Sequence, residues 1–287
     1  MSNTIHPAAI IGAVALAVTD LDRAARFYTH NLGLQELAPA ADGWRSFGAG
    51  EQALVRLTAA TGAPLDPRLP GLFHMAILLP GRFELARVLY QLAETNYNLE
   101  GASDHGVSEA LYLSDPLADG IELYTDRSQS DWPRDEQGSI EMVTGALNLD
   151  RLLFELKGKL EPWQGIDSRT RMGHVHLQVS EIATSEHFYT QVIGLELQQR
   201  YGRQASFLSA GGYHHHVGIN TWNSNNAPPA PDGAAGLRYF ELLLPDAASL
   251  AEVTGRIEAA GLPLTAQDGG QLVKDPSGNG VLLKLEG

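Results

Sequence analysis

Ten histidines and no cysteine define the chemistry open to this chain of 287 residues. Without thiols there is no thiolate metal ligand, disulfide or cysteine nucleophile, so imidazole and carboxylate groups become the side chains to consider. His74 and His174 lie near the beginning of apolar segments with strand character. Glu122 stands inside the apolar pattern DGIELY, where a carboxylate is costly unless it is paired or binds a metal. These three residues are candidate metal ligands.

The chain repeats itself, and the repeat identifies the elements that position these residues. The segment GAVALAVTDLDRAARFYTHNLGL from Gly12 aligns without a gap with GHVHLQVSEIATSEHFYTQVIGL from Gly173. Both patterns predict a strand and then a helix with an apolar stripe, with a glycine near the C-terminal end of the helix. A duplicated chain of this length predicts two similar halves rather than one simple domain.

A second pair of segments begins at Leu72 and at Leu237, and each again predicts a strand followed by a helix. Later in these segments, SDPLADG and KDPSGNG each predict a tight turn that leads into a final strand. The remaining residues suffice for about three short strands per segment. The sequence therefore predicts four similar modules, near 8–58, 71–126, 171–222 and 236–286.

Four strand–helix–three-strand modules, an FY-x-x-x-x-G-L helix end and a DP-x-x-x-G-x-E closing strand resemble the vicinal oxygen chelate superfamily. That superfamily includes the glyoxalases, the fosfomycin- and bleomycin-resistance proteins and the extradiol ring-cleaving dioxygenases. The resemblance implies an α+β fold in which four βαβββ modules form two bowl-like mixed β-sheets flanked by helices. It implies an N-terminal half with modules 1 and 2, a connector, and a C-terminal half with modules 3 and 4, over 8–126, 127–170 and 171–287.

The candidate ligands occupy particular positions in these modules. His74 and Glu122 belong to module 2 and His174 to module 3. Two imidazoles and one carboxylate form the facial triad typical of non-heme Fe(II) oxygenases, and extradiol dioxygenases use this set at these module positions. Fe(II) is the expected cofactor, with Mn(II) as the alternative. The equivalent positions of the other two modules hold residues that cannot bind a cation, namely Ala13, Tyr239 and Leu282.

A complete triad requires modules 2 and 3 to share one bowl. We therefore expect the metal bowl between these two modules, and an empty bowl between modules 1 and 4. The sequence leaves open whether the bowl forms within one chain or by an exchange between two chains.

The segment GGYHHHVGIN from Gly211 predicts a strand with three successive histidines. Alternation along a strand would place His214 and His216 on one face and His215 on the other. In the extradiol enzymes that the chain resembles, a histidine before a short apolar run serves as the acid–base catalyst. That resemblance selects His215, with His216 as the alternative, and an imidazole titrates in the range that such a role needs.

Two further residues match active-site positions of the same enzymes. Tyr112 lies on the strand predicted before that of Glu122, at the spacing of a tyrosine that hydrogen-bonds the metal-bound substrate oxygen. His105, in the loop before that strand, resembles a further active-site histidine. Tyr112 and His105 are therefore expected to hold substrate oxygens. Among the other histidines, His176 would line the bowl without being a ligand, and three are expected outside it, namely His6, His30 and His187.

The resemblance is nearest to the catechol 2,3-dioxygenases. The reaction it implies is O2-dependent meta-cleavage of a small aromatic diol at a mononuclear non-heme Fe(II), as in aromatic hydrocarbon catabolism. Two alternatives remain: a glyoxalase-like metal-dependent isomerase or hydrolase, and a non-catalytic small-molecule-binding protein of the resistance type. The ligand set, without a further carboxylate, argues against the first alternative, and the candidate acid–base histidine argues against the second.

The charge balance narrows the partners further. With 34 acidic and 20 basic residues, the formal net charge of −14 disfavours binding to nucleic acid or to anionic membranes. The apolar run from Ala8 to Val18 is too short to cross a bilayer and has no basic segment before it. We expect a cytoplasmic homo-oligomer whose partners are a small aromatic diol and O2.

Overall fold

The computed structural model describes residues 4–38, 43–141 and 143–287. Their strands form two mixed β-sheets, one of eight strands and one of nine, accompanied by five α-helices. The predicted α+β fold of two mixed sheets is therefore confirmed. Within the described ranges, no helix combines the length and the apolar character that crossing a bilayer requires.

The first two modules have the predicted order of one strand, one helix and three strands. Module 1 consists of β1 (Ile10–Val18), α1 (Leu21–Arg26), β2 (Gln35–Glu36), β3 (Arg45–Ala49) and β4 (Gln52–Ala59). Module 2 consists of β5 (Gly71–Leu78), α2 (Arg82–Glu94), β6 (Gly101–Asp104), β7 (Ser108–Ser114) and β8 (Gly120–Asp126). The connector then contains β9 (Gly145–Ala146) and a short helix, α3 (Leu149–Leu153), where the pattern LDRLLFELKGKL predicts one.

The last two modules repeat this order. Module 3 consists of β10 (Arg171–Gln178), α4 (Ile182–His187), β11 (Glu196–Tyr201), β12 (Ala205–Ser209) and β13 (Val217–Asn220). Module 4 consists of β14 (Gly236–Leu244), α5 (Ala247–Ala259), β15 (Thr265–Gln267), β16 (Gly270–Lys274) and β17 (Gly280–Leu285). All four predicted modules are present.

Local sequence explains where the helices form. In α2, Leu85, Val88, Leu89 and Leu92 recur every three or four residues and are all buried, which is the apolar stripe of an amphipathic helix. Helix α5 begins after Asp246, whose carboxylate accepts the backbone N–H of Ser249 at 2.8 Å. Such a cap satisfies a donor that would otherwise lack a partner at the first turn.

The Phe-Tyr pairs that mark the repeat form a π-helical turn directly after the α-helix in modules 1 and 3, over Phe27–Asn31 and Phe188–Ile193. The glycine that follows each turn, Gly33 or Gly194, has a φ of +74° or +95°. Side chains other than glycine are strained there, so these glycines allow the chain to leave the helix.

The buried Tyr28 connects module 1 with the Asp-Pro turn of module 2. Its hydroxyl donates to Oδ2 of Asp115 at 3.2 Å. Oδ1 of Asp115 accepts the backbone N–H groups of Leu117 and Asp119, at 2.8 and 3.1 Å. Burial, together with Asp115 and Asp119, raises the pKa of Tyr28 well above its usual value, so the phenol stays a donor. These bonds fix the turn from which β8 begins.

Modules 3 and 4 contain the same arrangement. The Tyr189 hydroxyl donates to Oδ2 of Asp275 at 3.1 Å, and Oδ1 of Asp275 accepts the N–H groups of Ser277 and Asn279. The second turn has an additional hydrogen bond, because the Asn279 amide also donates to Oδ2 of Asp275 at 3.0 Å. The equivalent of this amide in module 2 is the carboxyl group of Asp119.

The chain divides into two compact units. The first comprises Gly173–Gly287 with the earlier segments up to Ala17 and over Ala60–Phe73, and it contains two hydrogen-bonded strand runs, β15-β16-β17-β14-β1 and β11-β12-β13-β10. The second comprises Val18–Ala59 and His74–Met172 and contains the runs β4-β3-β2 and β5-β8-β7-β6-β9. The division into an N-terminal half, a connector and a C-terminal half stays a prediction.

Candidate metal centre

Two predicted ligands meet on adjacent strands of module 2. Strands β5 and β8 run parallel, with Ala76 beside Glu122, so the side chain two residues earlier, His74, lies on the same face as Glu122. Nε2 of His74 is 3.1 Å from Oε2 of Glu122, and both side chains are buried, with 10% and 4% of their surface exposed. A buried imidazole beside a buried carboxylate offers one nitrogen and one oxygen as metal-ligating atoms, the types of ligand that Fe(II) and Mn(II) accept.

Tyr112 extends this face. It lies directly opposite Glu122 in the antiparallel pair of β7 and β8, and its ring centre is 5.8 Å from that of His74. Burial first, and then the Glu122 carboxylate, raise the pKa of Tyr112 far above its usual value. The Tyr112 hydroxyl therefore keeps its proton at neutral pH.

His105 is held from both sides of its ring. Nδ1 lies 2.8 Å from the carbonyl oxygen of Val143, and Nε2 lies 2.7 Å from the Tyr112 hydroxyl. A carbonyl only accepts, so Nδ1 donates to Val143, and Nε2 of the neutral ring accepts from Tyr112. His105 follows β6 in the loop before β7, as predicted, whereas the role of Val143 in the connector has no signal in the sequence.

The third predicted ligand, His174, belongs to the other unit. It lies in β10 and is buried, with 1% of its surface exposed. Its ring centre is 3.9 Å from that of His215 and 5.9 Å from that of His214. The candidate acid–base histidine is thus in contact with a candidate ligand inside the same unit.

The histidine tract does not lie within a strand, and that prediction is wrong. Strand β13 begins only at Val217. Before it, Gly211 and Gly212 take φ values of +61° and +70°, which turns the chain back from β12. The loop closes where the N–H of Ala210 donates to Nδ1 of His216 at 3.1 Å.

The predicted alternation of faces fails for the same reason. His214 and His215 lie side by side, with their Nδ1 atoms 2.9 Å apart. Both are buried, with 1% and 7% of their surface exposed. Side chains on opposite faces of a strand could not make this contact. Sequence reasoning gave His214 no role.

His176 lies in an aromatic cluster rather than among the candidate ligands. Its ring centre is 5.3 Å from those of Phe73 and Trp222 and 5.7 Å from that of Phe207. A Cβ on Gly218 would approach the His176 ring to 3.0 Å, so glycine leaves the space that this ring occupies. Phe207 also contacts His215, at 5.0 Å between ring centres. The cluster therefore packs directly beside the acid–base candidate.

The equivalent face of module 4 contains different groups. Leu272 and Leu282 lie opposite each other where module 2 has Tyr112 and Glu122. Tyr239 replaces His74 and donates its hydroxyl to Asp268 at 2.6 Å. This face does contain one carboxylate, Glu241, which sequence reasoning did not consider. It accepts from Lys284 at 2.9 Å and from the N–H of Ala13 at 3.1 Å, so its charge is already compensated.

The other predicted histidines behave as expected. His30 and His187 are exposed at the ends of the module 1 and module 3 helices, and His6 is exposed near the N-terminus.

The four modules match one class of protein. Residues 10–124 and 171–283 match the family model of the Glyoxalase/Bleomycin resistance protein/Dioxygenase superfamily. The chain belongs to this superfamily. Over 276 residues it is 39% identical to the catechol-2,3-dioxygenase of Bacillus subtilis (strain 168), a match that covers 95% of this chain and 96% of the relative.

Solved structures share the fold at lower identity. A Bacillus subtilis protein (subsp. subtilis str. 168) to which dioxygenase activity has been ascribed superposes with a TM-score of 0.65 at 13% identity, covering 100% of this chain and 87% of that one. Glyoxalase I from Zea mays superposes with a TM-score of 0.57 at 17% identity, covering 96% and 92%. At these identities the likeness concerns the fold alone, which serves several chemistries.

Proposed function

We propose that this protein is an extradiol ring-cleaving dioxygenase that opens a catechol ring beside its two hydroxyl groups, with O2 as the cosubstrate. The observation that carries the proposal is the buried His74–Glu122 pair, with Tyr112 opposite Glu122. The 39% identity to a catechol-2,3-dioxygenase over nearly the whole chain supports it.

We propose that His74, Glu122 and His174 bind one divalent metal, Fe(II) in the first instance and Mn(II) as the alternative. Two imidazoles and one carboxylate fit either ion and leave positions open for substrate and O2. The bound ion would supply the Lewis acidity and the redox chemistry with O2 that side chains lack. The proposal includes the predicted pairing of modules 2 and 3 around the metal.

The other residues would bind and orient the substrate and move its proton. Tyr112, aligned by the hydrogen bond that it donates to His105, presents a hydroxyl oxygen that can accept a hydrogen bond from a substrate hydroxyl. His215 would accept a proton from a catechol hydroxyl and return it later in the reaction. His215 fits this role better than His216, because the ring of His215 contacts His174 while Nδ1 of His216 accepts a backbone N–H.

The direct test is to purify the protein anaerobically, load it with Fe(II) or Mn(II), and add catechol and oxygenated buffer. We expect stoichiometric binding of the metal, consumption of one O2 per catechol, and the yellow absorbance of a ring-opened product. The metal-free protein is the control and should show neither O2 uptake nor colour.

The same preparation separates the rival functions. An isomerase of the glyoxalase kind would convert a thiohemiacetal of methylglyoxal and glutathione without consuming O2. A binding protein would retain an aromatic ligand unchanged. Metal binding without O2 uptake across a panel of substituted catechols would contradict the dioxygenase proposal.

A further inference from the structure

Two buried amide side chains lie side by side at the ends of β10 and β13. In the parallel pair of these strands Gln178 is beside Asn220, and the two residues are buried, with 4% and 0% of their surface exposed. Oδ1 of Asn220 accepts the backbone N–H of Trp222 at 3.1 Å, which orients the amide and leaves Nδ2 as its donor. Within the described ranges of the chain, neither Nδ2 of Asn220 nor Oε1 of Gln178 has a hydrogen-bond partner. Buried polar atoms of this kind are uncommon and costly, so they point to a bound polar group.

The two amides lie on the same face as the candidate ligand of module 3. Side chains alternate along a strand, so His174, His176 and Gln178 share one face of β10. The strand register places Gly218 beside His176 and Asn220 beside Gln178. At about 3.3 Å per residue, the Cα atom of Gln178 lies about 13 Å along the strand from that of His174. The aromatic cluster around His176 occupies the positions between them.

The surroundings determine which group the amides can bind. Ala205 lies opposite Asn220 in the pair of β12 and β13 and contributes only a methyl group. The aromatic cluster contains no lysine or arginine, so it offers no cation to a carboxylate, and burying an unpaired charge is costly. A neutral hydroxyl group satisfies both amides at once. Its oxygen accepts from Nδ2 of Asn220, and its proton is donated to Oε1 of Gln178.

We propose that Gln178 and Asn220 are specificity-determining residues that bind a neutral hydroxyl group at the end of a substituent on the catechol ring. This inference rests on the proposed function and names its substrate class. The substrate is a catechol whose apolar or aromatic substituent packs on the aromatic cluster and ends in an alcohol or phenol group. A site built to hydrogen-bond a substrate hydroxyl discriminates against the analogue that lacks it, because the buried polar groups then stay unpaired.

The test compares catechols whose substituents differ only at their end. Alkyl, hydroxyalkyl and carboxyalkyl substituents of matched length, in a series of increasing length, provide the panel. We expect the kcat/KM of the best hydroxyalkyl catechol to exceed those of its alkyl and carboxyalkyl counterparts by about tenfold or more. An equal or higher kcat/KM for the alkyl or the carboxyalkyl counterpart would overturn the proposal.

Substitutions then assign the preference to the amides. Gln178→Met keeps the length of the side chain and removes its amide. Asn220→Leu removes the second amide, but it also takes the acceptor from the N–H of Trp222, so Gln178→Met is the cleaner variant. We expect each variant to lose the hydroxyl preference while metal content and turnover of unsubstituted catechol stay near the wild-type values. Persistence of the preference in Gln178→Met would overturn the proposal.

The matched control is Gln198→Met. Gln198 lies in β11, where its Nε2 donates to the carbonyl oxygen of Glu196 at 3.5 Å. The substitution makes the same chemical change as Gln178→Met but outside the pair of amides. We expect this variant to keep the full hydroxyl preference of the wild type. Loss of the preference in Gln198→Met as well would show that it does not arise at the amide pair.

A binding measurement decides the question independently of turnover. Anaerobic calorimetry on protein loaded with Zn(II) gives Kd for the matched catechols. We expect the wild type to bind the hydroxyalkyl catechol about tenfold more tightly than the alkyl one, and Gln178→Met to bind both equally. Equal Kd values in the wild type would overturn the proposal. So would a crystal structure of this complex in which an ordered water, rather than the substituent, bridges Gln178 and Asn220.

Failure of the proposed function gives a different result. If no catechol is turned over by the Fe(II)- or Mn(II)-loaded protein but the tenfold difference in Kd is present, the dioxygenase proposal is contradicted and the hydroxyl subsite stands. If catechols are turned over but the Kd values are equal, the dioxygenase proposal stands and the subsite is overturned.

Discussion

Module 2 and module 4 are two versions of one structure with opposite chemical content. In both, a buried tyrosine of the preceding module binds the aspartate of an Asp-Pro turn, and that turn leads into a closing strand. Yet His74, Tyr112 and Glu122 of module 2 have the counterparts Tyr239, Leu272 and Leu282 in module 4. The fold of the module therefore does not depend on the polar side chains that module 2 carries at these positions.

The face of module 4 shows what the scaffold contains in place of candidate ligands. Its Tyr239 hydroxyl is satisfied by Asp268 and its Glu241 carboxylate by Lys284, so each polar group has a partner within the unit. In module 2, by contrast, the imidazole and the carboxylate face each other in a buried environment. Buried polar groups are costly, and a bound cation is one way to compensate that cost.

The largest expected effect on metal binding and activity comes from replacing Glu122 of module 2 by the residue at the equivalent position of module 4. Glu122→Leu, which copies Leu282, removes one of three proposed bonds to the metal. We expect metal affinity, and with it activity, to fall by more than the 10–100-fold typical of residues that merely support a ligand. Metal content measured by mass spectrometry after desalting, together with O2 uptake, tests this.

The matched control lies in module 4. Tyr239→Phe removes only the hydroxyl bonded to Asp268, so it should leave metal content and turnover unchanged. Full metal retention by Glu122→Leu would refute the ligand assignment. Metal loss in Tyr239→Phe would show that the two modules are not separated as proposed.

The next effect concerns catalysis with the metal retained. His215→Gln removes the proposed proton acceptor but none of the proposed ligands. We expect full metal content and a fall in turnover of about a hundredfold or more, the usual scale for a lost general acid–base group. His216→Gln is the control and should keep most activity. A large loss in His216→Gln with normal turnover in His215→Gln would reverse the assignment.

A smaller effect is expected at Tyr112. Tyr112→Phe keeps the ring opposite Glu122 and removes the hydroxyl that donates to His105. Losing one hydrogen bond to a substrate oxygen should lower kcat/KM by about tenfold, the equivalent of about 1.4 kcal/mol. Steady-state kinetics on metal-loaded protein measures this. Unchanged kcat/KM would limit Tyr112 to packing.

The last effect concerns stability rather than activity and involves the Asp-Pro turns. Burial, followed by the neighbouring Asp115 carboxylate, raises the pKa of Asp119 well above its ordinary value of 3.8. Tyr28 is a donor in the same group, and Arg23 acts on Asp115 from α1. A carboxyl pKa that is higher in the folded state than in the unfolded state destabilises the fold increasingly as the pH rises from the unfolded value toward the folded one.

We therefore expect Asp119→Asn, which copies Asn279, to change stability little near about pH 4 and to raise it by about 1–3 kcal/mol near about pH 8. Denaturant unfolding at both pH values measures the difference. The reciprocal change, Asn279→Asp, should lower stability at the higher pH. An equal gain for Asp119→Asn at both pH values would exclude ionisation as its cause.

The repeat made most of the fold predictable from the sequence. The Phe-Tyr pairs, the Asp-Pro turns and the alternating strands each occur twice, so every local pattern is supported by its copy. Other features of the fold follow from local sequence signals, namely a glycine after the π-helical turn, an apolar stripe in α2 and a carboxylate inside β8. The positions of His74, Tyr112, Glu122 and His174 on strands followed from this periodicity.

The other features of the candidate site depend on the geometry of turns and long-range contacts, which the repeat and the alternation of residues do not indicate. The histidine tract reads as a strand, but Gly211 and Gly212 turn the chain, and a Cβ on Gly211 would approach the Pro7 carbonyl oxygen to 2.4 Å. The contact of His214 with His215 follows from that turn and cannot be read from alternation. The bond from His105 to Val143 joins residues 38 positions apart, with no motif at Val143 to indicate it.

The connector also determines how long a fragment must be to transfer the His105–Tyr112 pair into another protein. Val143 binds His105 twice, through its carbonyl to the ring at 2.8 Å and through its N–H to the His105 carbonyl at 3.2 Å. Strand β9 then pairs with β6, with Gly145 beside Asp104 and Ala146 beside Ser103. The shortest fragment that keeps these contacts of His105 therefore extends to Ala146, beyond the end of module 2. A fragment that stops at Asp126 would leave the His105 ring without the partner that fixes its tautomer.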